Sequence, residues 1–173
     1  MALVEQLPAE VYLKERHIRF EVALHRSAYT AKSEANALGL PVAYVLKVVV
    51  LRLEDAYAMA VVPASRRIDM NLVTGVIPES VRLATEDEIA SRFPGFELGA
   101  LPPLPGLLGV RAFVDPTVFD HHEVAFADGR QTESIIASPR ELFWGQDVFV
   151  APISRKPEVW GPWELEGDAI DLG

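Results

Sequence analysis

The segment Val45-Leu46-Lys47-Val48-Val49-Val50-Leu51-Arg52-Leu53 constrains this chain more than any other. Its β-branched residues favour a pleated backbone, and its apolar density predicts a central strand buried on at least one face. Glu54-Asp55-Ala56 is short and polar, and Tyr57-Ala58-Met59-Ala60-Val61-Val62 returns as a second strand, so the two predict a hairpin. The apolar run from Val42 to Leu51 is broken by Lys47 and falls short of the roughly 18 residues that span a bilayer, so no membrane partner is expected.

The remaining elements alternate between helix and strand. Pro8 opens a helix with Val11, Leu13 and Ile18 as its apolar positions, and Arg19 to His25 alternates as a half-buried strand. Thr30 is the expected N-cap of a helix from Ala31 to Leu38, with Glu34 adding early negative charge and Gly39 ending it. Arg67 to Val73 reads as a helix, Val81 to Ala84 as a short strand, and Thr85 as the cap of a helix from Glu86 to Phe93. Pro94 to Gly109 holds four prolines and four glycines, a density that predicts a shaped loop without regular structure. Val110 to Asp115 follows as a strand. Glu123 to Ala127 and Glu133 to Ala137 flank the turn Asp128-Gly129-Arg130 as a second hairpin, and Ser138-Pro139 caps a short helix. After Gly145 the texture changes. Val148 to Val150 can be a strand, and Arg155 to Gly173 reads as an irregular acidic tail pinned by Trp160 and Trp163. The expected organisation is one mixed α+β domain over residues 1–145, with residues 146–173 as an extension packing on it or trailing from it.

Net charge sets limits on partners. At −9, the surface on average repels a polyanion, which excludes a long nucleic-acid groove but leaves room for a local basic contact. The chain has no cysteine, so disulfides and thiolate chemistry are excluded, which fits a cytoplasmic protein.

Lys47 is the first candidate for chemistry. An ammonium inside an apolar strand either meets an anion or a pocket, or is turned to solvent by strand alternation. The loop holding Gly99-Ala100-Leu101-Pro102-Pro103 is the second. A glycine there lets a backbone N–H approach a ligand, although such a GxxxP pattern also serves purely structural loops. His25, at the end of its strand near Ser27 and Tyr29, reads either as a surface residue or as part of a pocket wall. His121-His122-Glu123, with Asp115 and Asp120 upstream, is not expected to hold a metal, because neighbours on a strand face opposite ways. Arg66, Arg67 and Arg130 are either solvated charges or phosphate contacts.

Taken in order, these features resemble one family. The helix from Thr30 to Gly39, Lys47 in its strand, the return ending Val61-Val62-Pro63, and Arg66-Arg67-Ile68-Asp69 are similar to the YbaK family, related to the editing domain of bacterial prolyl-tRNA synthetases. So are the GxxxP loop from Gly99 to Pro103, Val114-Asp115 and the turn at Gly129. The resemblance spans roughly residues 17 to 143 and implies a compact α+β domain with a curved, barrel-like mixed sheet flanked by short helices. It implies a trans-editing hydrolase that deacylates mischarged aminoacyl-tRNA carrying a small amino acid, without metal or cofactor. Lys47 would bind the acceptor end, and Gly99 would hold the ester carbonyl as an oxyanion donor. His25, Pro103, Asp128, Gly129 and Thr132 would bind substrate, and Arg66, Arg67 and Arg130 would contact tRNA. No Ser-His-Asp set is evident, which fits a site that positions water, helped by the tRNA 2′-hydroxyl. Synthetase editing domains carry a discriminating histidine after the last hairpin's turn, whereas this chain reads Asp128 to Glu133 there without one. The partners implied are the acceptor end of mischarged tRNA and an aminoacyl-tRNA synthetase. Two other readings stay open: a non-catalytic tRNA- or synthetase-binding module, and a small protein that binds a nucleotide or other anion.

Overall fold

The computed structural model describes residues 7–157. Two open sheets and a two-stranded ribbon carry the fold. The hairpin expected around Lys47 is the middle of the larger sheet: β2 (Leu46–Arg52) pairs antiparallel with β3 (Tyr57–Pro63), placing Lys47 opposite Val62. β5 (Arg82–Leu83) flanks β2 on one side. On the other, β6 (Arg111–Val114) runs parallel to β3, and β9 (Val148–Val150) runs parallel to β6. β1 (Phe20–Leu24), β8 (Glu133–Ala137) and β7 (Val124–Ala127) form the antiparallel smaller sheet in that spatial order. One isolated parallel bridge, Val45 to Ala125, links the two sheets. They do not close, so the barrel expected from the family resemblance is replaced by open sheets with β5 and β9 as edges of the larger one.

Both faces of the larger sheet are covered, which explains the near-continuous apolar run in β2. Val48, Val50, Met59 and Val61 pack with Leu13 of α1 (Pro8–Glu15), Phe126 and Leu142 of the principal core. Val49, Leu51, Ala58, Ala60 and Val62 pack with Val73 of α3 (Met70–Val76) and Ile153. Burying side chains of this size stabilises by about 1.5–3 kcal/mol each. α2 (Ala31–Leu38) closes over a third cluster made of Ala35, Val45, Ala64 and Ala125. No helix among the described residues is long and apolar enough to cross a membrane.

Two expectations are corrected. Arg67 and Ile68 do not begin a helix; they form β4, paired antiparallel with Arg155 and Ser154 of β10. The Asp69 carboxylate accepts from Asn71 N and Leu72 N, so it caps α3 and starts the helix only at Met70. The Pro/Gly segment is not irregular throughout, because Pro105–Leu108 makes a single helical turn, α5. A proline at the first helical position sacrifices no hydrogen bond, and Gly109 then ends the turn. α4 (Glu86–Arg92) and α6 (Pro139–Phe143) begin at the caps expected, Thr85 and Ser138.

Asp115, at the end of β6, binds the C-terminal segment to the domain. Its Oδ1 accepts from Thr117 N and Oγ1, and its Oδ2 accepts from Ile153 N at 3.0 Å and Ser154 Oγ at 2.7 Å. Burial pushes this carboxyl up, but these hydrogen bonds outweigh it and hold the group below its ordinary range. Ser154 Oγ in turn accepts from Arg66 Nε at 2.6 Å. Trp160 and Trp163 lie outside the described residues.

Candidate functional site

Lys47 and Gly99 line one cavity of about 440 Å³. Its floor is β2, from Leu46 to Val50; Glu34 of α2 and Glu86 of α4 contribute carboxyl groups, and Tyr29 and Leu98 stand exposed at its edge. The Pro/Gly loop reaches this cavity because its backbone docks on its neighbours. Glu97 N donates to Gly129 O at 2.8 Å, and Gln131 N donates to the Glu97 carboxylate at 2.8 Å. Gly99 has φ of +76°, and a Cβ there would lie 2.3 Å from Tyr29 O, so this position admits only glycine. Gly129 has φ of +114°, with Phe96 Cδ1 3.0 Å from where a Cβ would stand.

Glu34 is the group the sequence hid. It is 4% exposed, and its carboxylate accepts a very short hydrogen bond from Ser134 Oγ of β8. Ser134 Oγ also lies 2.8 Å from His25 Nε2, and His25 Nδ1 lies 2.7 Å from Arg26 O. A carbonyl oxygen can only accept, so Nδ1 carries a proton, and Nε2 is left to exchange one with Ser134. Burial pushes the Glu34 carboxyl up to about 7, against the lowering effect of the Ser134 bond. The cavity therefore holds a carboxyl group poised between its two forms at neutral pH, opposite a lysine.

The other residues singled out from the sequence are distributed more widely. His25 reaches the cavity only through Ser134, and its own N–H donates to Thr132 O at 2.9 Å, while Thr132 itself is exposed. Pro103 is buried and does not line the cavity. Asp128 is fully buried, and its carboxylate oxygen lies within 4.8 Å of carboxylate oxygens of Glu10 and Glu133. Burial, then the nearby Glu133, push the Asp128 carboxyl up to about 8. Arg66 is tied to Ser154, and Arg67 and Arg130 are exposed away from the cavity walls. Lys32 and Lys47 line a small cleft with Ala64, two residues ahead of Arg66. His121 and His122 precede β7 rather than lying in it, and His121 stacks on Tyr44 with ring centroids 3.8 Å apart.

Comparison with known proteins gives the same outline. The sequence model of the aminoacyl-tRNA editing domain family matches residues 25–143. A proline–tRNA ligase of Fervidobacterium nodosum is 31% identical over 90 residues, covering 51% of this chain. The match spans 15% of the length of that ligase. Among solved structures, a hypothetical protein superposes with a TM-score of 0.78 at 23% identity, over 86% of this chain and 99% of its own. A proposed trans-editing enzyme for prolyl tRNA synthetase superposes with a TM-score of 0.72 at 26% identity, over 88% and 99% of the two chains.

Proposed function

Because the chain belongs to the aminoacyl-tRNA editing domain family, we propose that it hydrolyses mischarged aminoacyl-tRNA carrying a small amino acid, acting in trans. The observation that carries this reading is the convergence of Lys47 and Gly99 on one cavity from separate parts of the chain. The ester of an aminoacyl-tRNA is already activated, so catalysis needs placement and charge stabilisation more than a protein nucleophile. Lys47 supplies a cation for the acceptor-end phosphate, and the backbone at Gly99 supplies a donor for the oxygen that becomes negative as water adds to the carbonyl. The exposed Tyr29 ring at the cavity edge suits stacking on the terminal adenine. A volume of about 440 Å³ lies near the low end for small-molecule sites, which favours a small side chain on the ester. Gly129 braces the loop through Glu97 and so shapes the pocket, with Asp128 and Pro103 as buried support.

In an acidic protein the tRNA backbone needs a local basic contact. Arg66, Arg67, Arg155 and Lys156 lie on or beside the β4–β10 ribbon, which follows the cleft of Lys32 and Lys47. They are the phosphate contacts of this reading, with Arg130 on the hairpin turn.

Incubation with a panel of mischarged tRNAs, following both binding and turnover, tests it. Deacylation of at least one pair is expected, and Lys47→Ala should lower kcat/KM by about 100-fold or more. Binding without turnover of any pair, or a Lys47→Ala rate equal to the wild type, would sink the proposal.

A further inference from the structure

We infer that Glu34 is the general base of this site, held in place by a hydrogen-bond chain through Ser134 and His25. The inference rests on the deacylase reading and adds to it a residue that accepts the proton of the attacking water. Three observations converge on it. Glu34 lines the cavity that holds Lys47 and Gly99, yet it is almost wholly buried. Its carboxylate is bonded to Ser134 Oγ, which is bonded in turn to His25 Nε2. His25 Nδ1 is bonded to Arg26 O, so the chain of bonds ends on the backbone and fixes the orientation of the carboxylate. A carboxyl raised to about 7 also matches what a general base needs at neutral pH.

The hydrogen-bond arithmetic fixes the chain. Nδ1–H of His25 donates to Arg26 O, and Ser134 Oγ, bonded to both His25 Nε2 and Glu34, has one proton of its own, so it donates to one neighbour and accepts from the other.

The reaction balances through Glu34. Glu34 takes one proton from water as the water oxygen bonds to the ester carbonyl carbon. The C–O bond to the ribose then breaks, and that proton passes from Glu34 to the departing ribose oxygen. The product acid ionises at neutral pH, so each turnover releases one proton to solvent. Other titratable groups lie around Glu34: Tyr29 from the preceding loop, Lys47 from β2 and Glu86 from α4 share its cavity, and Lys32 lies on its own helix.

Single-turnover deacylation across pH 5 to 9 tests this, using the mischarged tRNA that the wild type hydrolyses. Glu34→Gln should lower kcat by at least about 100-fold with little change in KM, and should abolish the acid limb of the profile. Ser134→Ala should keep measurable turnover but move the acid limb to higher pH, because Ser134 favours the ionised form of Glu34. A purely structural role would lower the rate equally at every pH. Wild-type kcat in Glu34→Gln would overturn the inference, as would a loss confined to KM, which would mark Glu34 as a ligand of the substrate ammonium. A second readout needs no substrate: the Glu34 side-chain carboxyl carbon, followed by NMR, should titrate near neutral pH and shift upward in Ser134→Ala. Titration in the ordinary carboxylate range overturns the inference, whereas absence of any deacylation by the wild type overturns only the deacylase reading.

Discussion

Asp128 and Glu34 show how one physical cause, burial, serves two ends at the scale of single residues. Glu34 opens onto a cavity, and its raised carboxyl is available to a ligand. Asp128 is fully buried beside Glu10 and Glu133, and its raised carboxyl is a cost that grows with pH. The folded value of about 8 exceeds the unfolded 3.8, so Asp128 holds its proton when folded and must lose it, buried, as pH rises. Its contribution is fully favourable below the unfolded value and fades between pH 4 and pH 8. Asp128→Asn keeps a donor for Glu133 and has no proton to lose. The variant should match the wild type below about pH 4 and exceed it by a few kcal/mol at pH 8 in urea unfolding. Parallel pH dependence in the two proteins would contradict the raised Asp128 carboxyl.

At the scale of elements, α2 bears on the site more than its length implies. Thr30 Oγ1 accepts from Ser33 N at 3.1 Å, and Ser33 Oγ accepts from Thr30 N at 3.0 Å, a reciprocal cap that fixes where the helix starts and so where Glu34 faces. Thr30→Ala should cost about 1 kcal/mol by thermal or chemical unfolding, and Thr30→Ser should recover most of it. The cap was legible in the sequence, as were the β2–β3 and β7–β8 hairpins, because turn chemistry and apolar pattern are local signals. The corrected elements failed for local reasons too: Asp69 outcompeted Arg67 as a helix start, and Pro105 began a turn inside a segment read as breakers. The candidate cavity was legible in Lys47 and Gly99, which both line it and which carry a strand interrupted by charge and a glycine with positive φ. It was not legible in Glu34 and Ser134. A glutamate in a first helical turn has the same local signature whether it faces water or a core, and only the packing of α2 against β8, 100 residues away in sequence, decides which.

At the scale of the whole molecule, the segment after Gly145 is integral to the larger sheet. β9 covers the β6 edge, and Ile153 N and Ser154 Oγ supply half of the hydrogen bonds to Asp115. Ending the chain at Gly145 would leave that buried carboxylate short of two donors, each worth about 1.5–3 kcal/mol when the acceptor is charged. The shortened protein should unfold at a markedly lower urea midpoint. The intact protein should lose the Asp115 contribution only as pH falls through the depressed folded value, below the ordinary 3.8. An unchanged midpoint on truncation would show that this segment merely leans on the domain. The pairing of β1 with β8 has a further consequence for the chain during its synthesis. Phe20 must wait for Ala137, and Glu34 for Ser134, so most of the polypeptide has to emerge before the smaller sheet and the cavity can be complete. Such long-range closure makes folding slow relative to helical proteins of this size. It also means that a nascent chain stalled before Ser134 carries no assembled cavity, and the candidate site arrives late, with its last contributing strand.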